Sequence, residues 1–538
     1  MKRGDRLIGY VSDEYHYALA EVLLEFEREG ESLAVVRSTP RGAVYAELEP
    51  GDYRVTLSRE GYGAKKVTMR VDPDRPHQFR LLSDCLLGYM WPKWVRSGDH
   101  SEYRVHSPEE CQVSLWRYGL EKEFVRLVNW HGEHSPRSSV QITPDGDYTQ
   151  SGAQWNHHGY ASRTHSQRIT APERSGLYYL HLKTPTGAFF AFPWVVAPKR
   201  PQAGIAVLAS TNTWNAYNNF GGRSNYINPK DLPAEPASNI RQENDRYRTG
   251  EIEDLFGFED HEYRPLSFER PEPFNHVPEQ VQVSDPIAGR NESHLAPAEW
   301  RLLGWLEREG FGYDLYSDYQ LHSGELDLDA YKVLILNTHP EYWSKQMYLA
   351  VKAWVFERGG RLMYLGGDGI DGPVEFQDET ALRCLNKWEN IDMSGEKRPG
   401  TFELRFHRYL ESPAQLLGIC AVAGIMKSAP YRTVDASHWV FEDTGLKEGD
   451  LFGFESLQER CSGGAAGHET DMMSLSSPPD TRLLAKGTTE VSGAEMVYHA
   501  TGSGGEVFSA GAVTYPAALL VDEAVSKITR NVLRRFLR

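Results

Sequence analysis

Cysteine is scarce in this sequence, with five residues in a chain of 538. The cysteines show neither a metal-binding spacing nor an even-numbered disulfide framework. Scattered free thiols are typical of a reducing compartment, so we expect a cytoplasmic protein. The five positions are Cys85, Cys111, Cys384, Cys420 and Cys461.

Long apolar runs are missing as well, so no stretch reaches the length of a membrane span. The N-terminal "MKRGDRLIGYVSDEYH" has no apolar core, and we expect no secretory signal. Positive charge is in deficit, because the formal net charge is −17 at pH 7. Such a chain is repelled by nucleic-acid phosphates and by anionic lipids, so neither is expected as a partner.

The length of the chain predicts about three domains. Residues 1–85 are predicted to form a small β-sandwich, because "AVYAELEPGDYRVTLSREGY" alternates apolar and polar positions around the turn "EPGD". This segment resembles the PEGA or carboxypeptidase-regulatory module, contains no candidate catalytic residue and is expected to be dispensable for chemistry. Residues 86–200 are predicted to form a second, immunoglobulin-like β-sandwich. Its stretch "QWNHHGYASRTH" places His157, His158 and His165 in a solvated loop or in a flap over a neighbouring site.

From residue 201 to 538, strands alternate with helices. Strands are predicted at 204–210, 313–318, 331–337 and 361–367, and helices at 297–310 and about 345–358, the second capped by Ser344 and ended by Gly359. A segment of little periodicity, about 211–296, is predicted to be a functional insertion. The order indicates an α/β fold, a doubly wound parallel sheet of the flavodoxin or glutamine-amidotransferase type, preceded by the two small all-β sandwich modules.

In the flavodoxin-like strand order, the first, third and fourth strands are adjacent, and ligands bind at their carboxyl ends. The loops that follow them are "TNTWNAYNNFGGRSNY", "THPEYWS" and "GDGIDG", so these loops are expected to meet at one rim. His339 and Glu341 alternate on an extended segment held by Pro340, and both side chains can leave the same side of the backbone.

His339 and Glu341 have two interpretations. They form a metal site together with Tyr217 or Tyr226 of the first loop, and a phenolate in that set favours ferric iron. Alternatively, His339 only hydrogen-bonds the loop and Glu341 lies in the turn that enters the helix. No Cys or Ser occupies the turn after the third strand, and there is no GxSxG motif, which disfavours covalent catalysis by thiol or serine.

Five segments taken together and in order, over roughly 200–538, resemble the large (beta) subunit family of N,N-dimethylformamidase. They are "TNTWNAYNNFGGRSNY", "NTHPEYWS", "YLGGDG", "AGHETD" and "GGEVFSAGAVTY…ITRNVLRRF". The resemblance implies a glutaminase-like α/β domain that holds one iron (Fe³⁺) per chain through a Tyr, a His and a Glu. His339 and Glu341 match the family's His-x-Glu, Tyr217 is the chosen tyrosyl ligand and Tyr226 the fallback. Glu469 matches a catalytic carboxylate near the iron.

The implied reaction is hydrolysis of the C–N bond of a small amide by a metal-activated hydroxide, with Glu469 protonating the leaving amine. Asp368 is the second candidate catalytic residue and could hydrogen-bond the substrate or the metal-bound water. It stands where the family pattern has Asn, which changes the charge of the site and puts the substrate in question. The family's small subunit is not encoded in this chain, so a partner subunit and a homo-oligomer stay open. The remaining residues predicted to bind substrate or wall the pocket are Asn218, Asn219, Trp214, Phe220, Tyr342 and Trp343.

Two rival functions remain at this point. The same residues could serve metal-assisted hydrolysis of an ester or a glycan-related substrate. The chain could also be a non-catalytic binding protein on a degenerate amidotransferase-like fold, which would need no stoichiometric metal.

Overall fold

The structure is a computed structural model that describes residues 6–131, 140–155, 167–238, 257–289, 293–387, 391–392, 402–403, 405–423, 427–489 and 494–538. His157, His158 and His165 lie outside these residues, so the predicted flap stays a prediction. Among the described residues, no helix combines the length and the apolar character needed to cross a membrane.

The first module contains seven strands with alternating buried and exposed side chains, as the sequence pattern predicts. Gly51–Arg59, for example, buries Tyr53, Val55 and Leu57 on one face. The seven strands are β1 Arg6–Ser12, β2 Leu23–Arg28, β3 Glu31–Arg37, β4 Ala43–Ala46, β5 Gly51–Arg59, β6 Gly63–Val71 and β7 His77–Arg80. They form two sheets that enclose one apolar core.

The second group of strands is β8 Leu87–Trp91, β9 Trp94–Arg96, β10 His100–His106, β11 Cys111–Tyr118, β12 Lys122–His131, β13 Val140–Gln141, β14 Arg168–Thr170, β15 Gly176–Lys183 and β16 Phe189–Ala197. Five of them form a sheet in the order β12-β11-β15-β16-β9, and three form a second sheet, β14-β10-β8. β13 instead joins the first module, where it pairs in parallel with β6. The predicted domain boundaries stay a prediction. The pairing of β13 with β6, however, joins residues on both sides of the boundary predicted at residue 85.

The remaining strands are β17 Ile205–Ala209, β18 Leu266–Ser267, β19 Asp314–Ser317, β20 Val333–Thr338, β21 Tyr342–Trp343, β22 Arg361–Gly366, β23 Gly372–Asp378, β24 Ala381–Cys384, β25 Ile391–Asp392, β26 Phe402–Glu403, β27 Cys420–Ala423, β28 Ser428–Ala429, β29 Tyr431–Thr433, β30 Leu451–Phe452, β31 Ala466–Gly467, β32 Thr470–Met472, β33 Arg482–Gly487, β34 Glu495–Ala500 and β35 Glu506–Ser509. Nine of them form one sheet in the order β19-β17-β20-β22-β35-β34-β33-β29-β30.

Over the described residues, the helices are α1 Thr211–Tyr217, α2 Ala296–Arg308, α3 Asp318–His322, α4 Lys345–Arg358, α5 Arg405–Tyr409, α6 Ala414–Leu417, α7 Tyr515–Ala518 and α8 Glu523–Phe536, with short 3₁₀ helices at Asp260–Glu262, Pro273–Asn275, Leu328–Ala330 and Trp439–Phe441. α4 has the predicted bounds. The Ser344 hydroxyl accepts a hydrogen bond from Met347 N, and Gly359 ends the helix at φ 74°.

The predicted fold class is wrong. Strands account for 37% of the protein and helices for 17%, and many of its sheets are antiparallel. The four predicted strands do lie side by side in parallel, in the order β19-β17-β20-β22. Beyond β35, however, the same sheet continues through four antiparallel pairs. After residue 370 the described chain forms mainly hairpins and short strands. The alternation of strands and helices in the middle third of the sequence therefore does not continue to the C-terminal end.

Candidate functional site

The loops after β17, β20 and β22 meet at one edge of the nine-stranded sheet. β17 leads directly into α1, whose Thr213 hydroxyl accepts a hydrogen bond from Glu341 N of the next loop. The β20 loop is joined to the β22 loop, because Ile370 N donates to Pro340 O and Gly372 N donates to Glu341 O. Parallel strands end on the same side of a sheet, and this brings the three segments together.

Left-handed backbone conformations concentrate at this edge. Thr338, Asp368, Ile370, His468 and Glu469 all have φ between 51° and 59°. Non-glycine residues rarely adopt this conformation, and such residues cluster at functional sites, where the surrounding structure holds them in place.

His339 is completely buried, and three carboxylates surround its Nε2 atom. That atom lies 3.0 Å from Glu469 Oε2, 3.4 Å from Glu341 Oε2 and 3.8 Å from Asp368 Oδ2. Within the described part of the chain, neither imidazole nitrogen makes a hydrogen bond of acceptable geometry. Burial opposes a charge on His339, but Glu469, Asp368 and Glu341 together hold its pKa well above the usual range.

The two oxygens of Glu341 face different groups. Oε1 accepts a hydrogen bond from Arg405 Nη2 at 2.6 Å and lies 3.1 Å from the Tyr226 hydroxyl. Oε2 accepts from the Tyr217 hydroxyl at 3.0 Å and is the oxygen nearest His339. The carboxylate is therefore anchored through one oxygen, while the other points at His339 and Tyr217.

Arg405 connects Glu341 to a further carboxylate. Its Nε and Nη2 atoms both donate to Asp371 Oδ2, at 3.0 and 2.6 Å. Sequence analysis missed Arg405 because "RFHRY" matches no motif. Asp371 is the second acidic residue of "GDGIDG", and that repeated acid is a signal that could have identified it.

The two candidate tyrosines adjoin one another, with their hydroxyl oxygens 3.1 Å apart. Burial, followed by the nearby Glu341, raises the pKa of both Tyr217 and Tyr226 well above the usual value. The Tyr217 ring is 5.7 Å from the His339 ring, centroid to centroid. A cation beside these hydroxyls would reverse the effect of burial and favour a phenolate.

Glu469 and Asp368 complete the acidic surroundings of His339. Glu469 lies in the turn between β31 and β32, and it approaches closely because Gly367 has no Cβ, which would lie 2.2 Å from Glu469 O. The Glu469 side chain is 22% exposed and that of Asp368 is 17% exposed, so both reach toward solvent. Burial, then Asp371, raises the pKa of Asp368 well above its usual value, whereas His339 lowers the pKa of Glu469 despite burial.

The residues around His339 and Glu341 form the candidate metal centre. Two histidines that sequence analysis did not assign also line this centre. The His294 ring is 4.7 Å from the Tyr217 ring and 5.4 Å from the His339 ring, and the His468 ring is 5.7 Å from that of His294. His468 directly precedes Glu469 in the quoted segment "AGHETD", which is a usable signal. His294 lies near the end of the predicted insertion, about 211–296, and belongs to no recognisable motif.

The predicted pocket residues are dispersed. Tyr342 reaches the centre, with its hydroxyl 3.0 Å from that of Tyr226. Trp343, on the opposite face of β21, packs in the apolar core on the other side of the sheet. Trp214 donates to the buried Glu299, and burial raises the pKa of Glu299 to about 8.

The other three pocket candidates are loop residues. Asn218 donates to Pro271 O and accepts from Phe220 N, so both ends of its amide are engaged within the loop. Asn219 is half-buried. Phe220 packs against Tyr15 and Tyr148, away from His339.

The family described as "N,N-dimethylformamidase beta subunit-like, C-terminal" matches residues 112–527. The chain belongs to this family. The match covers most of the chain, and it confirms the resemblance inferred from the five motifs.

Two relatives of this dimethylformamidase-like chain carry the name "N,N-dimethylformamidase beta subunit". The protein of Alcaligenes sp is 26% identical over 288 residues, covering 45% of this chain and 37% of the relative. The protein of Paracoccus aminophilus is 26% identical over 292 residues, with the same coverage. The match thus spans little more than a third of each relative. Among solved structures, murine CEACAM1b aligns with 36% of this chain and 97% of its own, at 9% identity and a TM-score of 0.12, which is too low to support any inference.

Proposed function

We propose that the chain is an iron-dependent amide hydrolase in which Tyr217, His339 and Glu341 hold the metal. The observation that carries the proposal is that neither imidazole nitrogen of the buried His339 makes a hydrogen bond of acceptable geometry with the described residues, while its Nε2 faces Glu341 Oε2. Two ligand atoms that share one ion, each about 2.1 Å from it, lie roughly 3 Å apart. The 3.4 Å between His339 Nε2 and Glu341 Oε2 is close to that separation.

The charge of the centre also suits a cation. Glu341, Asp368, Asp371 and Glu469 lie together, and Arg405 offsets part of their charge. Buried carboxylates that repel one another are stabilised by protons or by a metal ion. The two half-buried phenols and the Glu341 carboxylate are hard oxygen donors, and phenolate in particular favours Fe³⁺.

The residues around the metal have separate tasks. Iron bound there would supply Lewis acidity, polarising the amide carbonyl and lowering the pKa of water. Glu469 is not part of the proposed ligand set, and its partly exposed carboxylate can accept the proton that the attacking water loses and pass it to the leaving amine. Arg405 fixes Glu341 through its anchored oxygen, the kind of support that keeps a metal ligand oriented.

A second ligand set is His339, Asp368 and Glu469, whose ligand atoms all lie within 4.8 Å of one another. It lacks a tyrosine, so an iron site built from it would have no tyrosinate charge-transfer absorption. The visible spectrum of the iron-loaded protein therefore distinguishes the two sets.

The test combines metal analysis with hydrolysis of a panel of formamides, acetamides, esters and glycosides by the same preparation. We expect about one iron per chain and turnover of amides alone. His339→Ala should remove both, whereas the control His499→Ala should keep both. His499 is equally buried but bonds Leu416 O in the sheet. If only esters or glycosides are hydrolysed, the chain belongs to another class of hydrolase. A wild-type protein without metal would favour a non-catalytic binding protein.

We also propose that this chain assembles with a second kind of subunit or with copies of itself. The support is that the relatives named above are called beta subunits. Light scattering of the purified chain, alone and after co-expression with a candidate small subunit, tests this. A monomer that is fully active by itself would refute it.

A further inference from the structure

The loop that joins the two candidate tyrosines, residues 217–226, contacts the first β-module directly. We call it the tyrosine loop. Arg80 Nη2, at the end of β7, donates to Gly221 O at 3.0 Å. In return, Gly221 N donates to Glu14 O at 2.6 Å. The Tyr15 ring meets Phe220 edge-on, with the ring centroids 6.2 Å apart.

Arg80 is held rigidly on the module side. Its side chain is completely buried, and its Nε and Nη2 atoms both donate to Asp13 O, at 3.2 and 2.9 Å. Nη1 donates to Gly146 O, and the guanidinium lies 4.7 Å from the centre of the Tyr148 ring. A planar guanidinium with this many fixed acceptors cannot follow a loop that moves, so it defines the position of Gly221 O.

The tyrosine loop approaches the β-modules so closely that only glycine fits. Gly221 has φ 101°, and a Cβ there would lie 2.3 Å from Thr149 Cγ2. Gly222 has φ 94°, and a Cβ there would lie 2.4 Å from His16 Cβ. Both positions combine a left-handed backbone with a direct contact.

The opposite side of the loop is fixed independently. Arg270 Nη1 donates to Phe220 O at 2.7 Å and to Arg223 O at 3.2 Å. The middle of the loop is thus gripped by two buried guanidinium groups, and its two ends carry Tyr217 and Tyr226.

We propose that Arg80 is a positioning residue of the candidate metal centre, through which the first β-module sets the place of Tyr217 and Tyr226 relative to Glu341. This rests on the proposed function only for the role of the tyrosines. It reverses the expectation that residues 1–85 are dispensable. Misplacing a reacting or metal-binding group by about 1 Å can cost on the order of 100-fold in rate.

The test uses the full chain with the substitutions Arg80→Met and Arg80→Lys. The matched control is Arg104→Met, because Arg104 is also buried, lies 5.5 Å from the Tyr89 ring and pairs with Glu269. Arg104 belongs to the second β-module and makes no hydrogen bond or ion pair with the described residues of the tyrosine loop. Both Met variants lose a buried arginine of similar environment, so a general loss of stability affects them alike.

Three quantities are measured on each protein: amide hydrogen exchange of residues 217–226, the position and intensity of the iron–tyrosinate absorption, and kcat and KM. In Arg80→Met we expect exchange in the loop to rise at least tenfold, the absorption to weaken or shift, and kcat to fall about 10- to 100-fold. Arg80→Lys should recover part of each, and Arg104→Met should leave all three near wild type.

Equal effects of Arg80→Met and Arg104→Met on the loop and on the absorption would overturn the inference. If Arg80→Met does not fold, Gly221→Ala disturbs the same contact from the loop side and should produce the same three changes. Hydrogen exchange needs no metal. A wild type without iron would therefore refute the proposed function, and the exchange data would still decide whether Arg80 fixes the loop.

Discussion

Replacing Glu469 with glutamine keeps the size of the side chain but removes its ability to exchange a proton. The Oε2 atom of Glu469 is 3.0 Å from His339 Nε2, an ion-pair distance, and accepts no hydrogen bond of acceptable geometry from the described residues. A positioned proton-transfer group contributes about 10²- to 10⁴-fold to a rate. This corresponds to about 2.7 to 5.4 kcal/mol in the activation free energy, and we expect kcat of Glu469→Gln to fall by that factor.

The assay is amide turnover, with iron content determined in the same samples. Iron should remain at one per chain, because Glu469 lies outside the proposed ligand set. Glu495→Gln is the control, since Glu495 is a buried glutamate that accepts hydrogen bonds from Met473 N, just after β32, and from Lys486 Nζ of β33. Near-normal turnover in an iron-replete Glu469→Gln protein would falsify the proton-transfer role. Loss of iron would instead favour the ligand set of His339, Asp368 and Glu469.

Three further predictions address the ligands, their support and the stability of the β-modules. Tyr217→Phe should abolish the iron–tyrosinate absorption and bound iron, measured by visible spectroscopy and metal analysis, whereas the same result with Tyr226→Phe alone would move the ligand to Tyr226. Arg405→Met should weaken iron binding about 10- to 100-fold by releasing Glu341, with Arg405→Lys intermediate, and unchanged affinity in a metal titration would refute the role of Arg405. Burial lowers the pKa of His181 to about 3, so below about pH 6.5 the unfolded state binds a proton that the folded state does not. As the pH is lowered below that value, His181 should reduce the free energy of unfolding by about 1.4 kcal/mol per pH unit. Urea unfolding at pH 7 and 5.5 should therefore show a smaller loss of stability in His181→Gln than in the wild type.

The sequence was most informative where local pattern and tertiary structure agree. The apolar run "VLILN" could only be a buried strand, and Ser344 and Gly359 bound the following helix as their chemistry requires. Because parallel strands end at one edge, the meeting of His339 and Glu341 with the first loop followed from strand order alone.

The rest depended on contacts between distant segments. Arg405 reaches Glu341 from a five-residue helix with no motif, and Phe220 turned toward the β-modules rather than the site because of Tyr15 and Tyr148. The antiparallel half of the large sheet escaped notice because Tyr431–Thr433 and Leu451–Phe452 are too short to show periodicity. Extending the parallel pattern across them produced the wrong fold class.

The parallel pairing of Val140–Gln141 with Ala64 and Lys65 has a consequence for the order of events during synthesis. A ribosome delivers the chain from its N-terminus, so β6 emerges well before the segment that covers its edge. The buried Lys65 likewise lacks its ion-pair partner, Asp145, until that residue has been synthesised. Until then the nascent first module presents an unpaired strand edge, the kind of surface to which other chains add. Chaperone binding or misassembly on the ribosome is therefore expected to concentrate in the interval between the synthesis of β6 and that of residue 145.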